Sequence, residues 1–531
     1  MRPRSRPHPA FCLVALLACG AAFDLGVGAF EVGPRSAILW TRATPSLPEA
    51  RSQRVVLELA TDPGFQTIVR QRVVRARARH DFTIRARVSE LEPATRYWYR
   101  FLAFRERVAF DYSRVGSFLT APDPREAAPL RFVVSGDSNY GFTRRNDLDF
   151  YVLSAAADEQ PDFFVYYGDT VYADSGILPG GADAVTLDEY RTVHRLTRSD
   201  PHLQELLATT GTFSGWDDHE VRNDYDGETV EPERFAAGAR AFFEYLPLRP
   251  QPGSGRFRTD RTVRWGRDAE LFFLDGRQFR SAERFCNASS PDGPEAPDTL
   301  FSPFAEDEDI VAQVLPPDLL EAASALLLPS DPDCAQQLLA DPERSLLGRA
   351  QLARLKRQLL ASDATFKILV NDVPISSLLF FPYDRWEGYL AERQELLDFV
   401  AENLDPSRVL VLTTDFHTNL AVRRPELTEL IVGPIGQSTF GGTVVSLLPP
   451  ELEPFAFVIL LLIDQVFDIA NGGGGAVLGS AHDAFSYAVV EVFRDAGDEP
   501  HLRATVRGDR GWAVGANDPG AVADLFSFEL P

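Results

Sequence analysis

Three short apolar runs in this chain end directly in an aspartate: Ser135-Gly136-Asp137, Tyr167-Gly168-Asp169 and Thr413-Thr414-Asp415. A fourth, ending at Gly276, carries Asp275 beside Arg277. If these runs are strands of an open α/β sheet, ligands bind beyond their carboxyl ends, and the carboxylates converge there. Carboxylates gathered at the end of an apolar sheet repel one another and lose hydration. Protonation, arginine pairing and bound cations are the three ways out. Cations are the economical answer, because Asp415-Phe416-His417 sets an oxygen and a nitrogen ligand two residues apart. The segment Trp216-Asp217-Asp218-His219-Glu220-Val221-Arg222-Asn223-Asp224 adds both types. Alone it could be a solvated loop or a helix cap; between Gly168-Asp169-x-x-Tyr172 and Asp415-x-His417 it reads as part of the same constellation. Of eight histidines, only His219 and His417 have such acidic settings. His8, His80, His194, His202, His482 and His501 read as surface or structural.

The elements that must position these residues follow from hydrophobic pattern. After Pro129, nearly continuous apolar runs at 130–136, 162–168, 269–276, 365–371 and 408–414 suit strands covered on both faces. Helical stretches at 146–158, 185–208, 231–245, 347–361 and 386–404 alternate with them, which indicates an α/β domain over 129–531. Two insertions interrupt it. One, at about 281–344, is acidic and Pro-rich; the other, at about 440–480, holds the apolar run 455–463 and Gly472–Gly475. That run is too short to span a bilayer and reads as core, with a surface-dipping flap as the alternative. Residues 23–122 read as all-β, with strands at 36–43, 54–62, 71–88 and 95–104. There, Leu91-Glu-Pro93-Ala-Thr95-Arg-Tyr97-Trp-Tyr99 resembles the tyrosine corner of fibronectin type III-like sandwiches.

The N-terminus reads as an export signal over residues 1–22. Arg2, Arg4 and Arg6 precede a short apolar stretch that ends in small residues. Leu16-Leu17-Ala18-Cys19 also resembles a lipobox, which would make Cys19 a lipid anchor; cleavage after Gly20 or Ala22 is the alternative. The mature chain is therefore expected outside the cytoplasm, periplasmic or secreted, where disulfides form. Beyond Cys12 and Cys19, the remaining cysteines are Cys286 and Cys334, both in the first insertion, where a disulfide is the plain reading. With 531 residues, 45% hydrophobic and 24% charged, the chain is an ordinary globular one, large enough for two domains. Its 77 acidic against 53 basic residues give a net charge of −24, which excludes a generic nucleic-acid binder.

Taken in order, Gly168-Asp169-x-x-Tyr172, Trp216-Asp217-Asp218-His219-Glu220-Val221, Asp275-x-Arg277-x-x-Arg280 and Asp415-x-His417 resemble the PhoD-like alkaline phosphatases. That family lies in the calcineurin-like metallophosphoesterase superfamily, alongside the purple acid phosphatases. Phe23-Asp-Leu-Gly-Val27, the WTR at 40–42, Leu347-Gly348-x-x-Gln351, Trp386-x-Gly388-Tyr389 and Ser486-Tyr487-x-Val489-Val490 extend the resemblance over nearly the whole mature chain. It implies a four-layer αββα sandwich behind an N-terminal fibronectin III/Ig-like β-sandwich. It also implies Fe3+ and Ca2+ as cofactors. Asp169 would bridge them, Tyr172 and His417 would bind iron, and Asp218 with Asp415 would hold the second ion, with Asn223 as an extra oxygen ligand. Two departures stand out. Where the family has Ser-Cys-Gln this chain has Ser135-Gly136-Asp137, so Asp137 takes the thiolate's place on iron and the number of metals is left open. Thr414 replaces the glycine of the family's Gly-Asp-x-His, which removes no ligand.

This ligand set implies hydrolysis of phosphomonoesters, phosphodiesters or both by metal-activated water, with no covalent enzyme intermediate. His219, next to ligand Asp218, is placed to protonate the leaving group. Arg277 and Arg280 are candidates to hold phosphate, with pairing to Asp275 as the structural alternative. The negative charge favours small organophosphates or phospholipid head groups over nucleic acid. The competing class is a non-catalytic surface module that keeps the metal site for folding alone; an intact His219, which supplies no ligand in this scheme, argues against it.

Overall fold

The structure, a computed structural model, describes residues 22–45, 49–105, 108–249, 257–282, 313–314, 337, 339–379, 384–447, 456–509 and 522–531. Residues 1–21 of the expected export signal and all four cysteines lie outside the described residues. So do most of the 281–344 insertion and part of the 440–480 one.

The strands are numbered in chain order. They begin with β1 Val27–Gly33, β2 Ser36–Arg42, β3 Ser52–Ala60, β4 Ile68–Arg77, β5 Thr83–Ser89, β6 Arg96–Arg105, β7 Val108–Tyr112 and β8 Gly116–Leu119. Next come β9 Leu130–Ser135, β10 Phe163–Tyr167, β11 Gly211–Gly215, β12 Arg261–Trp265, β13 Ala269–Phe273, β14 Phe366–Val370 and β15 Val409–Thr413. The last are β16 Asn419–Arg423, β17 Thr428–Ile431, β18 Val477–Ala481, β19 Ser486–Arg494, β20 Pro500–Gly508 and β21 Ala523–Leu530.

Among the described residues they form three sheets: a nine-stranded one, β21-β20-β19-β9-β10-β11-β1-β2-β5; a seven-stranded one, β12-β13-β14-β15-β17-β16-β18; and a five-stranded one built from β3, β4, β6, β7 and β8. The nine- and seven-stranded sheets pack face to face. Phe132, Phe163 and Phe213 of one layer share a core with Trp265, Phe273, Ile368 and Leu410 of the other. Phe163 centres it, 4.8 Å from the Phe132 ring and 4.7 Å from Trp265. Outside the nine-stranded sheet, helices Val152–Asp158, Pro201–Thr209 and Pro232–Tyr245 bury Leu153, Leu206 and Phe242 against Val133 and Phe164. Outside the seven-stranded sheet, helices Arg349–Ala361 and Leu390–Asn403 bury Leu355 and Leu396 against Leu369 and Val411. Helix, sheet, sheet, helix is the αββα order expected, and it explains why the central runs read as unbroken apolar sequence.

The expected N-terminal sandwich is present, but one of its two layers is shared. Its five-stranded sheet packs Leu57, Leu59 and Phe101 against Leu39 and Ile84 of β2 and β5. Those strands belong to the nine-stranded sheet, because β1 pairs in parallel with β11, Ala29 opposite Gly211 and Phe30 opposite Thr212. The division near 122–129 is therefore a change of pattern and not a break in hydrogen bonding. Tyr97 makes the expected corner, its hydroxyl accepting the Glu92 backbone N–H at 3.0 Å.

Three expectations on elements are corrected. The single strand over 71–88 is two, β4 and β5, because Asp81 and Phe82 turn the chain with φ of 47° and 59°. The helix over 185–208 is also two, Leu187–Arg198 and Pro201–Thr209. Asp200 caps the second, accepting from the His202 and Leu203 amides, and Pro201 opens it. From residue 456 on, the apolar run 455–463 belongs to helix Ala456–Ala470, which is core on one side only: Ile459, Ile463 and Phe467 are buried while Val458, Leu461 and Ile469 face out. No helix among the described residues is long and apolar enough to cross a membrane.

Because β1 supplies a hydrogen-bonded neighbour to β11, a chain beginning at residue 129 is expected to lose cooperative unfolding. Urea denaturation followed by circular dichroism should give a broad transition for the truncated chain and a sharp one for residues 23–531. Equal sharpness in both would make the N-terminal layer dispensable.

Candidate metal centre

Strands β9, β10 and β11 run parallel in adjacent positions, and so do β13, β14 and β15 in the facing sheet. Each is followed within two residues by an aspartate: Asp137, Asp169, Asp217 and Asp275, then Asp372 and Asp415. The two sheets thus deliver their acidic ends to one rim. Asp372, one residue past an expected strand, obeys the same rule that singled out the others.

The turns that carry the candidate ligands are backbone-constrained. Asp137, Asp169, Asp415 and His417 all adopt left-handed φ, at 54°, 45°, 68° and 48°. Non-glycine residues rarely do so; each costs on the order of 1–3 kcal/mol, and such residues cluster at functional sites. Glycine at 136 is a packing requirement, since a Cβ there would lie 2.1 Å from the Tyr167 carbonyl and 2.6 Å from that of Gly168. The turns are tied together by Ser138 N–H donating to the Asp169 carbonyl at 2.9 Å and Asp415 N–H to Asp137 Oδ1 at 3.2 Å. Glu220 is buried and braces the same rim, accepting from Thr170 N–H and hydroxyl at 2.6 Å and from Asp217 N–H at 2.9 Å.

Three groups of side chains bring ligand atoms within 4.8 Å of one another: Asp137, Asp169 and His417; Asp169, Asp218 and His219; and Asp218, Asp224 and Asp384. Asp169 is common to the first two and Asp218 to the last two. Tyr172 joins the first group, its hydroxyl sharing a hydrogen bond of 2.9 Å with His417 Nε2. Its ring lies 4.2 Å from that of His219. Among the described residues, the buried carboxylate oxygens Asp137 Oδ2, Asp217 Oδ2 and Asp218 Oδ1 have no hydrogen-bond partner. Unpaired buried oxygens of this kind are what cations satisfy, and all-oxygen groups suit hard ions. The residues therefore fit a metal centre.

His219 is held in a particular way. Its Nδ1 lies 2.6 Å from Asp174 Oδ1, and Asp174 Oδ2 accepts the Asn223 backbone N–H. Nε2 points the other way, 3.9 Å from Asp169 Oδ2. The His219 side chain keeps 19% of its surface exposed and His417 22%, whereas Asp137 is fully enclosed. The site opens to solvent on the histidine side.

Four expected site residues meet a different geometry. Arg277 is fully buried and does not pair with Asp275. Its guanidinium makes an ion pair with Asp217 and lies 3.2 Å from Asp415 Oδ1, 3.4 Å from Asp384 Oδ2 and 3.6 Å from Asp218 Oδ2. It is an internal countercharge, with its nitrogens engaged by carboxylates and none presented to a phosphate. Arg280 donates to the backbone carbonyls of Tyr225, Asp384 and Asp224, so it clamps the acidic loops. Asn223 has an exposed side chain that donates to Asp224, and it is Asp224 that joins Asp218. Asp415 faces Arg277 instead of completing a ligand group. Asp174, Asp224, Asp372 and Asp384 were not singled out by sequence; of these, Asp224 lies in the quoted acidic segment and Asp372 follows a strand, while Asp174 and Asp384 sit on loops that carry no signal.

Charge follows burial. Burial raises Asp137 well above the usual carboxylate range, with repulsion from Asp217 adding to it. Burial likewise raises Asp169, and raises Asp415, where Asp384 adds. Burial alone would raise Asp218, but Arg277 and His219 hold it low. For His219, burial is outweighed by Asp169, Asp218 and Asp174, which push it well above its ordinary value. His417 is pushed down to about 4 by burial and by the charge of His219, leaving a neutral imidazole available as a ligand.

Two facing sheets with acidic and imidazole side chains at their shared rim define the metallophosphatase sandwich class. The chain belongs to the PhoD-like phosphatase family. The family's sequence profile matches residues 132–449, and that of the PhoD-like phosphatase N-terminal domain matches residues 18–122. Alkaline phosphatase D of Bacillus subtilis (strain 168) is 26% identical over 435 residues, which is 75% of this chain and 65% of that protein's length. A solved structure of PhoD superposes with a TM-score of 0.71 at 22% identity, over 98% of this chain and 91% of that one. The purple acid phosphatase PPD1 of yellow lupin (Lupinus luteus) gives a TM-score of 0.48 at 12% identity, over 95% and 73% of the two chains.

Two tests follow. Gly136→Ala must part the ends of β9 and β10, and is expected to lower bound metal, read by elemental analysis, while the far-ultraviolet dichroism stays native. Raised carboxyl pKa values mean that the metal-free fold holds protons the unfolded chain releases. Their stabilisation is present below the ordinary carboxyl value and is lost as pH rises above it. Chelation should therefore lower Tm more at pH 8 than at pH 5. Restoring metal at a hundredfold excess over Kd should recover about 3 kcal/mol at pH 8.

Proposed function

We propose that this chain is an exported, metal-dependent phosphoesterase acting on small organophosphates or phospholipid-type head groups. The observation that carries the reading is His219, fixed by Asp174 on one side and turned by Nε2 toward Asp169 on the other, at the open edge of a metal-fitting carboxylate cluster. Asp137, Asp169, Tyr172 and His417 would hold Fe3+, the phenol suiting a hard trivalent ion. Asp218, Asp224 and Asp384 would hold Ca2+, which takes carboxylate oxygens. Bound there, the ions would supply Lewis acidity for water activation and for neutralising phosphoryl oxygens.

The protein's own residues do the rest. Arg277 keeps Asp217, Asp218 and Asp415 from repelling one another, so the rim stays assembled. Asp174 fixes the imidazole so that the proton to be transferred sits on Nε2, facing the substrate side. His219 then passes that proton to the leaving alkoxide. No serine stands at a nucleophile elbow, so attack by water without a covalent intermediate is the route. Membership of the PhoD-like family supports a phosphoester substrate.

The test is turnover of a chromogenic monoester and a chromogenic diester by residues 23–531 supplied with iron and calcium. Either turned over supports the proposal, and their ratio gives the substrate class. His219→Ala should cut kcat by about 100- to 10,000-fold with metal content unchanged. Asp174→Asn should cost about 10- to 100-fold, as loss of an orienting partner does. If folded, metal-loaded protein turned over neither ester, the non-catalytic surface module would be the better reading.

A further inference from the structure

Against a net charge of −24, residues 68–87 hold seven arginines and one aspartate. The structure gathers six of them, Arg72, Arg75, Arg77, Arg79, Arg85 and Arg87, around a single cleft of about 580 Å3 between β4 and β5. All six are exposed, and among the described residues none forms an ion pair. The acidic groups nearby are already spent. Asp81 is paired with Arg42 and Arg195. Glu244, the one carboxylate in the cleft wall, is held by Arg191 at 2.7 Å and Arg240 at 3.2 Å.

Both strands are sheet edges, and edge cations discourage unwanted strand pairing. That role requires no common cavity, whereas here the guanidiniums of two different sheets converge on one. The floor is aliphatic, formed by Val74, Ile84 and Leu248. Among the described residues, the wall offers no aromatic ring apart from His80 on which a nucleobase or sugar could stack, and no Asn or Gln to read hydroxyl groups. Such a surface recognises repeated anionic charge and little else. Arginine's planar fork matches phosphate oxygens in pairs, and neighbouring arginines on one strand face repeat at about 7 Å.

We infer that this cleft is a binding site for a linear chain of phosphates, separate from the metal centre and independent of its chemistry. A net charge of −24 repels polyanions at long range, and the cleft locally reverses that sign.

The experiment titrates residues 23–531, metal-loaded, with fluorescently labelled inorganic polyphosphate over a range of salt. The triple variant R75Q/R77Q/R87Q is compared with R349Q/R357Q/R503Q, which removes as many exposed arginines elsewhere. Wild-type protein is expected to bind. The cleft variant should lose about tenfold or more in affinity, the range for charge-assisted contacts. Its salt slope should fall by about 2–3, one contact per charge removed. The control should change by no more than about twofold, as screened surface charges do. Should the triple melt early, Arg75→Gln alone, at an exposed side chain, carries the test with a smaller loss. Equal losses in both triples, or no binding by wild type, would overturn the inference. Tighter binding of single-stranded DNA or heparin at equal charge would overturn the ligand class.

Discussion

Like charge in a dry place governs this molecule. Two sheets end at a common rim in six strands that each release an aspartate, and several of those carboxylates are buried. An isolated ionised carboxylate in such surroundings costs several kcal/mol, so the rim needs protons or cations to hold it together. The chain supplies one permanently in Arg277, which reaches Asp217, Asp218, Asp384 and Asp415 at once. It supplies a second in His219, whose protonation Asp169, Asp218 and Asp174 favour. Among the described residues, Asp137 and Asp169 receive no arginine, and Asp137 Oδ2 and Asp218 Oδ1 remain unpartnered. The protein has balanced part of its own acid charge and left a defined remainder, and that remainder is what a metal centre needs.

The same constraint accounts for what could be read from sequence. Runs such as Phe163–Tyr167 and Val409–Thr413 are strands covered on both faces, so their composition alone shows them, and the aspartate that ends each is legible by position. β11, Gly211–Gly215, is equally buried but contains two glycines and a serine; it is a strand because β1 and β10 flank it, which only the tertiary structure states. β1 itself, interrupted by Gly28 and Glu31, escapes for the same reason. At the site, Asp137, Asp169, Asp218, Asp415 and His417 follow strands, whereas Asp174 and Asp384 arrive on loops whose approach no spacing encodes. Arg277 was visible as chemistry but not as role. An arginine next to an aspartate in sequence suggests that pair, yet its four partners lie 59 to 138 residues away in the chain.

The geometry also separates positioning from chemistry in the acidic segment 216–224. Trp216 is buried among Phe235, Phe242 and Phe243, and Glu220 bonds to Thr170 and Asp217, so these two anchor the turn to both a helix and the neighbouring strand end. With the anchors fixed, Asp218 and His219 are left facing the rim. Asp218 N-terminal to the turn and Asp224 at its end are linked by an amide-to-carboxylate bond of 2.7 Å, which closes the loop on itself. One nine-residue stretch thus contributes a structural tryptophan, a bracing glutamate, two carboxylates of one candidate metal group and the imidazole.

Sheet continuity gives the N-terminal layer a part in this arrangement. β11 is the last strand of the nine-stranded sheet before the N-terminal layer, and its far edge is filled by β1, in parallel register at Ala29–Gly211 and Phe30–Thr212. The residues that follow β11 are Trp216, Asp217 and Asp218. Any shift of β11 would move Asp218 relative to Asp169, the carboxylate delivered by its other neighbour, β10. A strand with two glycines has little side-chain packing of its own to resist such a shift. The β10–β11 ladder sets the spacing between the two halves of the metal-fitting cluster, and β1 braces the start of β11 from its other edge, so the N-terminal layer supports the cluster although it supplies none of the residues that line it.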